Sequence, residues 1–163
     1  MKSLDIPFLI STASSTETEE VGASLAGLLL DGTKKLPRFV ALFGDLGAGK
    51  TAFVRGLASV IAPGAKIKSP TFAIVHEYRG KLPLFHFDMY RIKDADELYA
   101  VGFYDYFSRG GIIVTEWSEN IVSSLPDEYI KITITKHNAG ENLRTISGEI
   151  VGLSPAQPSE RPI

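Results

Sequence analysis

A glycine loop, GDLGAGKT at residues 44–51, constrains the fold of this chain more than any other sequence feature. Its spacing, G-x-x-x-x-G-K-[ST], is that of phosphate-binding loops, which join a buried strand to the start of a helix. The required context is present, because the apolar run RFVALF precedes the loop and apolar residues at helical spacing follow it over about 50–61. The sequence therefore predicts a strand–loop–helix unit that binds the phosphates of a nucleotide.

The residue types of the loop fit this chemistry. Gly44, Gly47 and Gly49 let the backbone wrap closely around phosphate oxygens with its amides pointing inward. The helix that starts near Lys50 turns its positive end towards the anion, and Lys50 itself would reach the β- and γ-phosphates of ATP. The Thr51 hydroxyl would ligate Mg²⁺ beside the bound ATP or ADP. Backbone contacts to the nucleotide are expected from the other loop positions, Asp45, Leu46 and Ala48, and from Ala52 directly after the loop.

Strand-like and helix-like runs alternate along the chain. A first helix is predicted to open on the capping pair Thr16 and Glu19, and a short one on Asp94 and Glu97. The other strand-like runs are IPFLIS, TFAIVHEY, LFHFDMYRI, GGIIVTEW, YIKITIT and LRTISGEIV. This order predicts an α/β fold like that of phosphate-loop NTPases, with three layers and a mixed sheet whose parallel core carries antiparallel hairpins. Residues 1–152 are predicted to form one domain, and the proline-rich residues 153–163 a flexible tail.

Composition excludes several classes of function. Seventeen basic and 19 acidic residues give a net charge of −2, whereas a domain that grips RNA alone usually has a strong basic excess. The absence of cysteine excludes a disulfide framework, a thiol nucleophile and thiolate-bound metal. The longest apolar stretch, VGASLAGLLL, is far shorter than the roughly 20 residues that span a bilayer. No secretory leader pattern is seen, so we expect a cytoplasmic protein.

Two acids at predicted strand ends are candidates to complete the site. Glu116 ends the apolar run GIIVTE, where a second carboxylate commonly holds the metal or a water; the alternative is an exposed strand-end carboxylate. Asp88 lies among apolar residues in HFDMYR and needs a partner if buried, either the metal or a core salt bridge to Arg91. His86 shares the strand face of Asp88 and fits a core histidine better than a general base. Thr71, in SPTF, is either a γ-phosphate sensor in a switch loop or a turn residue bonded to backbone.

Five motifs, in this order, resemble the TsaE (YjeE) family: GDLGAGKT, SPTF, HFDMYR, DELYAVGF and EWSE, within a similarity that covers about 6–151. Members of that family are bacterial ATPases with a small phosphate-loop α/β fold, needed to make threonylcarbamoyladenosine in tRNA. The resemblance implies that this chain binds ATP with Mg²⁺, acts with TsaD and TsaB, and docks on TsaD. It also implies that ATP hydrolysis supports multiple turnovers, and any tRNA contact is expected to be indirect, through that complex.

The resemblance further implies roles for single residues. Thr51 and Glu116 correspond to the Mg²⁺ ligands, and Asp88 to the other functional acid, a third candidate at the metal. Nucleotide-binding residues implied outside the loop are Thr12 and Ser14 after the first strand, Trp117 after the metal-binding glutamate, and Arg144 near the C-terminal hairpin. Ala52 departs from the family pattern, which commonly has a second threonine there; only its backbone amide can contact the phosphates, so modestly weaker binding is expected.

Three functions remain open on the sequence. In a partner-activated ATPase, Lys50, the loop amides and Mg²⁺ stabilise charge on the γ-phosphate while Glu116 or Asp88 positions metal or water. A small-molecule kinase would need an arginine-rich lid, for which the chain offers only Arg109 in YFSRGG. A nucleotide-gated binding protein would use ATP as a conformational switch. We favour the ATPase, and expect slow hydrolysis by the isolated chain because the sequence shows no evident arginine finger.

Overall fold

A seven-stranded sheet organises the chain in a computed structural model that describes residues 3–138 and 140–152. The strands are β1 (Phe8–Thr12), β2 (Phe39–Phe43), β3 (Val75–Tyr78), β4 (Leu84–Asp88), β5 (Ile112–Glu116), β6 (Tyr129–Lys136) and β7 (Arg144–Val151). The α-helices are α1 (Ser15–Leu30), α2 (Lys50–Ile61) and α3 (Ala95–Ala100), and two 3₁₀ helices span Phe103–Ser108 and Ser118–Ser124. The predicted tail, 153–163, lies outside the described residues.

The order of strands across the sheet is β1-β7-β6-β2-β5-β4-β3. Strands β6, β2, β5 and β4 run parallel to one another, while the pairs β3–β4, β6–β7 and β1–β7 are antiparallel. The predicted mixed sheet, with a parallel core and antiparallel hairpins, is therefore confirmed. Because β2, β4 and β5 are parallel, their carboxyl ends meet at one edge of the sheet, where ligands bind in open α/β folds.

Helices cover both faces of the sheet, which confirms the predicted three layers. On β2, Val40 and Leu42 pack into the core shared with α1 and α2. The alternate residues Phe39 and Ala41 pack into a second core with α3 and the 3₁₀ helices. Successive strand residues point to opposite faces of the sheet. A central strand covered on both faces therefore has apolar residues at every position, which explains the continuous apolar run before the glycine loop.

Helices α1 and α2 approach so closely that their backbones touch. A Cβ atom at Gly56 would lie 1.8 Å from the Glu19 carbonyl oxygen, and one at Gly22 would lie 2.2 Å from the Phe53 carbonyl oxygen. These two positions therefore accept only glycine without movement of a helix. The contact fixes the place of α2, whose first residues belong to the glycine loop motif.

The start of α1 differs from the sequence prediction. Ser14, rather than Thr16, caps the helix: its hydroxyl accepts a hydrogen bond from the Glu17 backbone N–H at 3.1 Å. The Glu17 carboxylate in turn accepts from the Ala13 N–H. Ser14–Glu17 and Thr16–Glu19 have the same capping spacing, and the strand that ends at Thr12 selects the earlier pair. The predicted cap of α3 is confirmed, because Asp94 accepts from the backbone N–H three residues on.

None of the helices within 3–138 and 140–152 is long and apolar enough to cross a membrane.

Candidate active site

The glycine loop connects the carboxyl end of β2 to the amino end of α2. Gly47 and Gly49 have φ angles of 75° and 109°, in the left-handed region that favours glycine. Gly49 is the N-cap of α2 and has no side chain to occupy the first amides of the helix. These unpaired amides and the helix dipole leave an electropositive cradle at the loop, suited to an anion.

Lys50, the first residue of α2, is buried beneath this loop. Its ammonium donates to the Gly44 carbonyl and, at 3.0 Å, to the Asp45 carbonyl, and it lies 4.1 Å from the centre of the Trp117 ring. Burial lowers the pKa of Lys50 below that of a free lysine, and nearby carboxylates, first among them Glu119, partly oppose that shift. An anion bound next to this buried ammonium would stabilise its charged form, because the opposite charge offsets part of the cost of desolvation.

Asp88 and Glu116 are opposite each other in register at the ends of β4 and β5, and both are buried, 4% and 3% exposed. Glu116 Oε1 accepts hydrogen bonds from the Thr51 hydroxyl at 3.0 Å and from His86 Nε2 at 2.9 Å. The interpretation of Glu116 as an exposed strand-end carboxylate is therefore wrong. The pair of acids faces the start of α2, so the first turn of that helix and both strand ends share one site.

Asp88 is held by a loop rather than by a salt bridge. Its Oδ2 accepts from the hydroxyls of Ser69 and Thr71, both at 3.1 Å, and its Oδ1 accepts from the Tyr90 N–H at 2.9 Å. The predicted alternative of a core pair with Arg91 is wrong, because the Arg91 guanidinium lies over the Phe72 ring, 4.6 Å from its centre. The sequence did not single out Ser69, although it lies two residues before the flagged threonine.

The loop that carries Thr71 is strained at its far end. Ile74 has a φ of 68°, which a β-branched residue rarely adopts and which costs about 1–3 kcal/mol. Its N–H donates to the Pro70 carbonyl at 2.7 Å, and its carbonyl accepts from the Asp88 N–H at 2.8 Å. Thr71 lies in a turn, as one interpretation predicts, but its hydroxyl bonds to a carboxylate and not to backbone, so the backbone partner in that interpretation is wrong. Sensing of a γ-phosphate by Thr71 stays a prediction.

A cavity of about 470 Å³ brings these groups together. The sequence-predicted residues that line it are Leu46, Gly47, Ala48, Gly49, Lys50, Thr51, Ala52, Thr71, Asp88, Glu116 and Trp117. Four lining residues were not singled out from the sequence: Ser15, Arg55, Ser69 and Tyr90. Arg55 follows Thr51 by four positions on α2, so helical periodicity could have placed it on the same face.

Trp117 stands at the cavity in an unusual backbone conformation. Its φ of 55° is left-handed, and its ring lies 5.1 Å from that of Tyr90 as well as over Lys50. Such a conformation in a bulky residue costs free energy and persists where the surroundings require it. Its place above the Lys50 ammonium agrees with the nucleotide-binding role that the resemblance implies for Trp117, and contact with a nucleotide stays a prediction.

Two of the predicted loop residues, Gly44 and Asp45, do not line the cavity, and neither do the three nucleotide contacts predicted outside the loop, Thr12, Ser14 and Arg144. Thr12 is buried and hydrogen-bonded to the Thr18 hydroxyl at 3.1 Å, and Ser14 caps α1. The Arg144 guanidinium donates to the carbonyls of Ala48 at 2.8 Å and Gly47 at 3.2 Å, so it supports the glycine loop from behind. Contacts of these three residues with a nucleotide stay predictions.

Glu119 also contacts the loop and was missed. Its carboxylate accepts a 2.6 Å hydrogen bond from the Gly44 N–H, which ties the 3₁₀ helix after β5 to the start of the loop. Glu119 is the second acid of the motif EWSE, and this is its only mark in the sequence. No local spacing rule connects it to Gly44, which lies 75 positions earlier.

Comparison with known proteins places this arrangement in a family. The family model described as "Threonylcarbamoyl adenosine biosynthesis protein TsaE" matches residues 12–146. The tRNA threonylcarbamoyladenosine biosynthesis protein TsaE of Haemophilus influenzae is 38% identical over 133 residues, 80% of this chain and 84% of that protein. The Bacillus subtilis protein of the same name is 41% identical over 114 residues, 69% of this chain and 70% of its own. The crystal structure of Bacillus subtilis YdiB superposes with a TM-score of 0.68 at 30% identity, covering 93% of this chain and 90% of that one. The chain therefore belongs to the TsaE family, whose members are tRNA threonylcarbamoyladenosine biosynthesis proteins.

Proposed function

We propose that this chain is an ATP hydrolase of tRNA threonylcarbamoyladenosine synthesis, which binds ATP with Mg²⁺ and acts with TsaD and TsaB in the cytoplasm. The observation that carries the proposal is that one cavity is lined by residues of the glycine loop, among them Lys50 and Thr51, together with the two acids Asp88 and Glu116. A phosphate cradle beside two carboxylates fits a nucleotide bound through its phosphates and a divalent cation.

The loop and Lys50 would hold the phosphates. Lys50 is bound to two loop carbonyls, and phosphate oxygens are stronger partners for its ammonium because they carry full charge. The amides at the start of α2 and the Lys50 charge would then act where negative charge develops on the γ-phosphate.

The donor set around Thr51 fits Mg²⁺. No group of three or more His, Cys, Asp or Glu side chains is arranged to hold a metal among the residues that the structure describes. Mg²⁺ does not need such a cage, since it is usually bound by one or two protein oxygens together with phosphates and water. Thr51 and Glu116 would supply these oxygens, with Asp88 the further candidate, and the ion would neutralise charge on the phosphates.

Asp88 is suited to couple the site to the loop over it. Both of its oxygens are hydrogen-bonded, two of the donors being the hydroxyls of Ser69 and Thr71. We infer that phosphate oxygens compete with Asp88 for these hydroxyls, or that a cation competes with the hydroxyls for Asp88, and that either change releases or reorders the strained loop, as in other phosphate-dependent switches.

The positions of the arginines favour a hydrolase over a kinase. Arg109, the lid candidate, donates to both oxygens of Glu77 at 2.8 and 2.9 Å and lies over the rings of Phe85 and Tyr106. Arg55 lines the cavity, but its guanidinium is paired with Glu19 of α1 at 3.1 Å. Arg109 is held by two hydrogen bonds and two rings, and Arg55 is directed to Glu19, so we infer that an outside partner supplies the group that covers the phosphates.

The isolated chain should therefore turn over ATP more slowly than about 1 s⁻¹, the low end for kinases. The measurement is release of inorganic phosphate from Mg-ATP, with chromatography of the products. ADP and phosphate in equal amounts are expected, with no phosphorylated acceptor when small metabolites are added. Turnover above that rate, or phosphoryl transfer to a metabolite, would contradict the proposal and favour the kinase.

A further inference from the structure

His86 lies in the core directly behind Glu116. Its side chain is 0% exposed, on the strand β4 next to β5. Nε2 is 2.9 Å from Glu116 Oε1, while Nδ1 is the one buried side-chain nitrogen or oxygen without a hydrogen-bond partner in the described part of the chain. A buried polar atom left unpaired is unfavourable, so the side chain needs an explanation other than packing.

The unpaired Nδ1 determines where the imidazole proton lies. A proton on Nδ1 would be a buried donor with no acceptor, whereas a proton on Nε2 is donated to the Glu116 carboxylate. The hydrogen bond therefore runs from His86 Nε2–H to Glu116 Oε1. The Thr51 hydroxyl, the other donor to the same oxygen, approaches from the start of α2.

Two donors on one oxygen fix the orientation of the carboxylate. Thr51 and His86 both bond to Oε1, and no hydrogen bond to Oε2 is found among residues 3–138 and 140–152. Glu116 lines the cavity, and its Oε2 remains available there as a ligand or acceptor. Groups that hold a metal-binding side chain from behind in this way tune metal affinity in other proteins.

We propose that His86 is a positioning residue for the divalent cation: it holds the Glu116 carboxylate so that Oε2 faces the cation beside the nucleotide phosphates. This inference rests on the proposed function, because it concerns the same cation. It assigns His86 no proton transfer and no direct contact with ATP.

The test is calorimetric titration of ATP into the full chain at a series of Mg²⁺ concentrations and in EDTA. In His86→Leu, the Mg²⁺ concentration for half-maximal gain in ATP affinity should rise about 10-fold or more. Affinity for metal-free ATP should stay within about twofold, since the loop and Lys50 are untouched. His86→Gln should return the Mg²⁺ dependence to within about threefold of the wild type, because its amide nitrogen can reach the place of Nε2.

A second pair of variants guards against misfolding of His86→Leu. The amide of His86→Asn reaches the place of Nδ1 and not that of Nε2, so the Asn variant should need about 10-fold more Mg²⁺, like the Leu variant, while the Gln variant stays near the wild type. An unchanged Mg²⁺ dependence in Leu and Asn variants with wild-type unfolding temperatures would overturn the proposal, as would equal losses with and without metal. A wild-type chain that binds ATP without any Mg²⁺ effect would instead overturn the proposed cation site itself.

Discussion

Glu116→Gln is expected to lower ATP turnover about 100-fold or more, as losses of single charge-stabilising groups do. The amide has the shape of the carboxylate, and its oxygen can still accept from Thr51 and His86 at the place of Oε1. The amide N–H₂ would then take the place of Oε2 at the cavity, where it presents donors to a cation in place of a negative oxygen. Phosphate release at saturating Mg-ATP measures the effect.

Glu149→Gln is the matched control, because it makes the same change on the exposed surface of β7, where the carboxylate lies 4.0 Å from the Lys131 ammonium. Its turnover should stay within about twofold of the wild type, since exposed ion pairs contribute little. If Glu116→Gln kept more than about a tenth of wild-type turnover, a central role for this carboxylate would be refuted.

Gly56→Ala should destabilise the chain by about 3 kcal/mol, at the upper end of overpacking effects. The added Cβ would lie 1.8 Å from the Glu19 backbone carbonyl, so one helix must move. Movement of α2 displaces Lys50 and Thr51, so ATP affinity should fall in whatever fraction remains folded. Urea unfolding followed by circular dichroism gives the change in the free energy of unfolding.

Gly32→Ala provides the comparison for this prediction. A Cβ at Gly32 would meet nothing within 4 Å, so its effect should be within about 0.5 kcal/mol. Equal stability of the two alanine variants would show that α1 and α2 do not depend on backbone contact for their position.

The parts of this protein that could be predicted from sequence are those with a local signal. The phosphate-binding loop between β2 and α2 was predicted from the motif GDLGAGKT, from the apolar run before it and from the helical periodicity after it. Glu116 could be found because it ends an apolar run, and parallel strands carry their carboxyl ends to one edge. Alternation along the strands likewise placed His86 and Asp88 on one face.

The parts that could not be predicted depend on contacts between distant residues. Arg144 donates to Ala48 across 96 positions, and His86 to Glu116 across 30, distances over which no spacing rule operates. The prediction of the α1 cap was wrong for another reason. The pairs Ser14–Glu17 and Thr16–Glu19 have the same spacing, and only the end of β1 decides between them. The close approach of α1 to Gly56 could not be predicted either. From sequence alone, a glycine within a helix indicates only a lower helix propensity, and its packing partner is unknown.

The most direct test of the account is phosphate release from Mg-ATP by the wild type and by Lys50→Ala, each alone and with TsaD and TsaB. We expect the partner proteins to raise wild-type turnover at least about tenfold, because an outside group must complete the site. Lys50→Ala should be slower by about 100-fold or more in both conditions, since it removes the buried charge under the loop. Equal rates for the wild type with and without the partners, or wild-type rates for Lys50→Ala, would contradict a partner-activated ATPase.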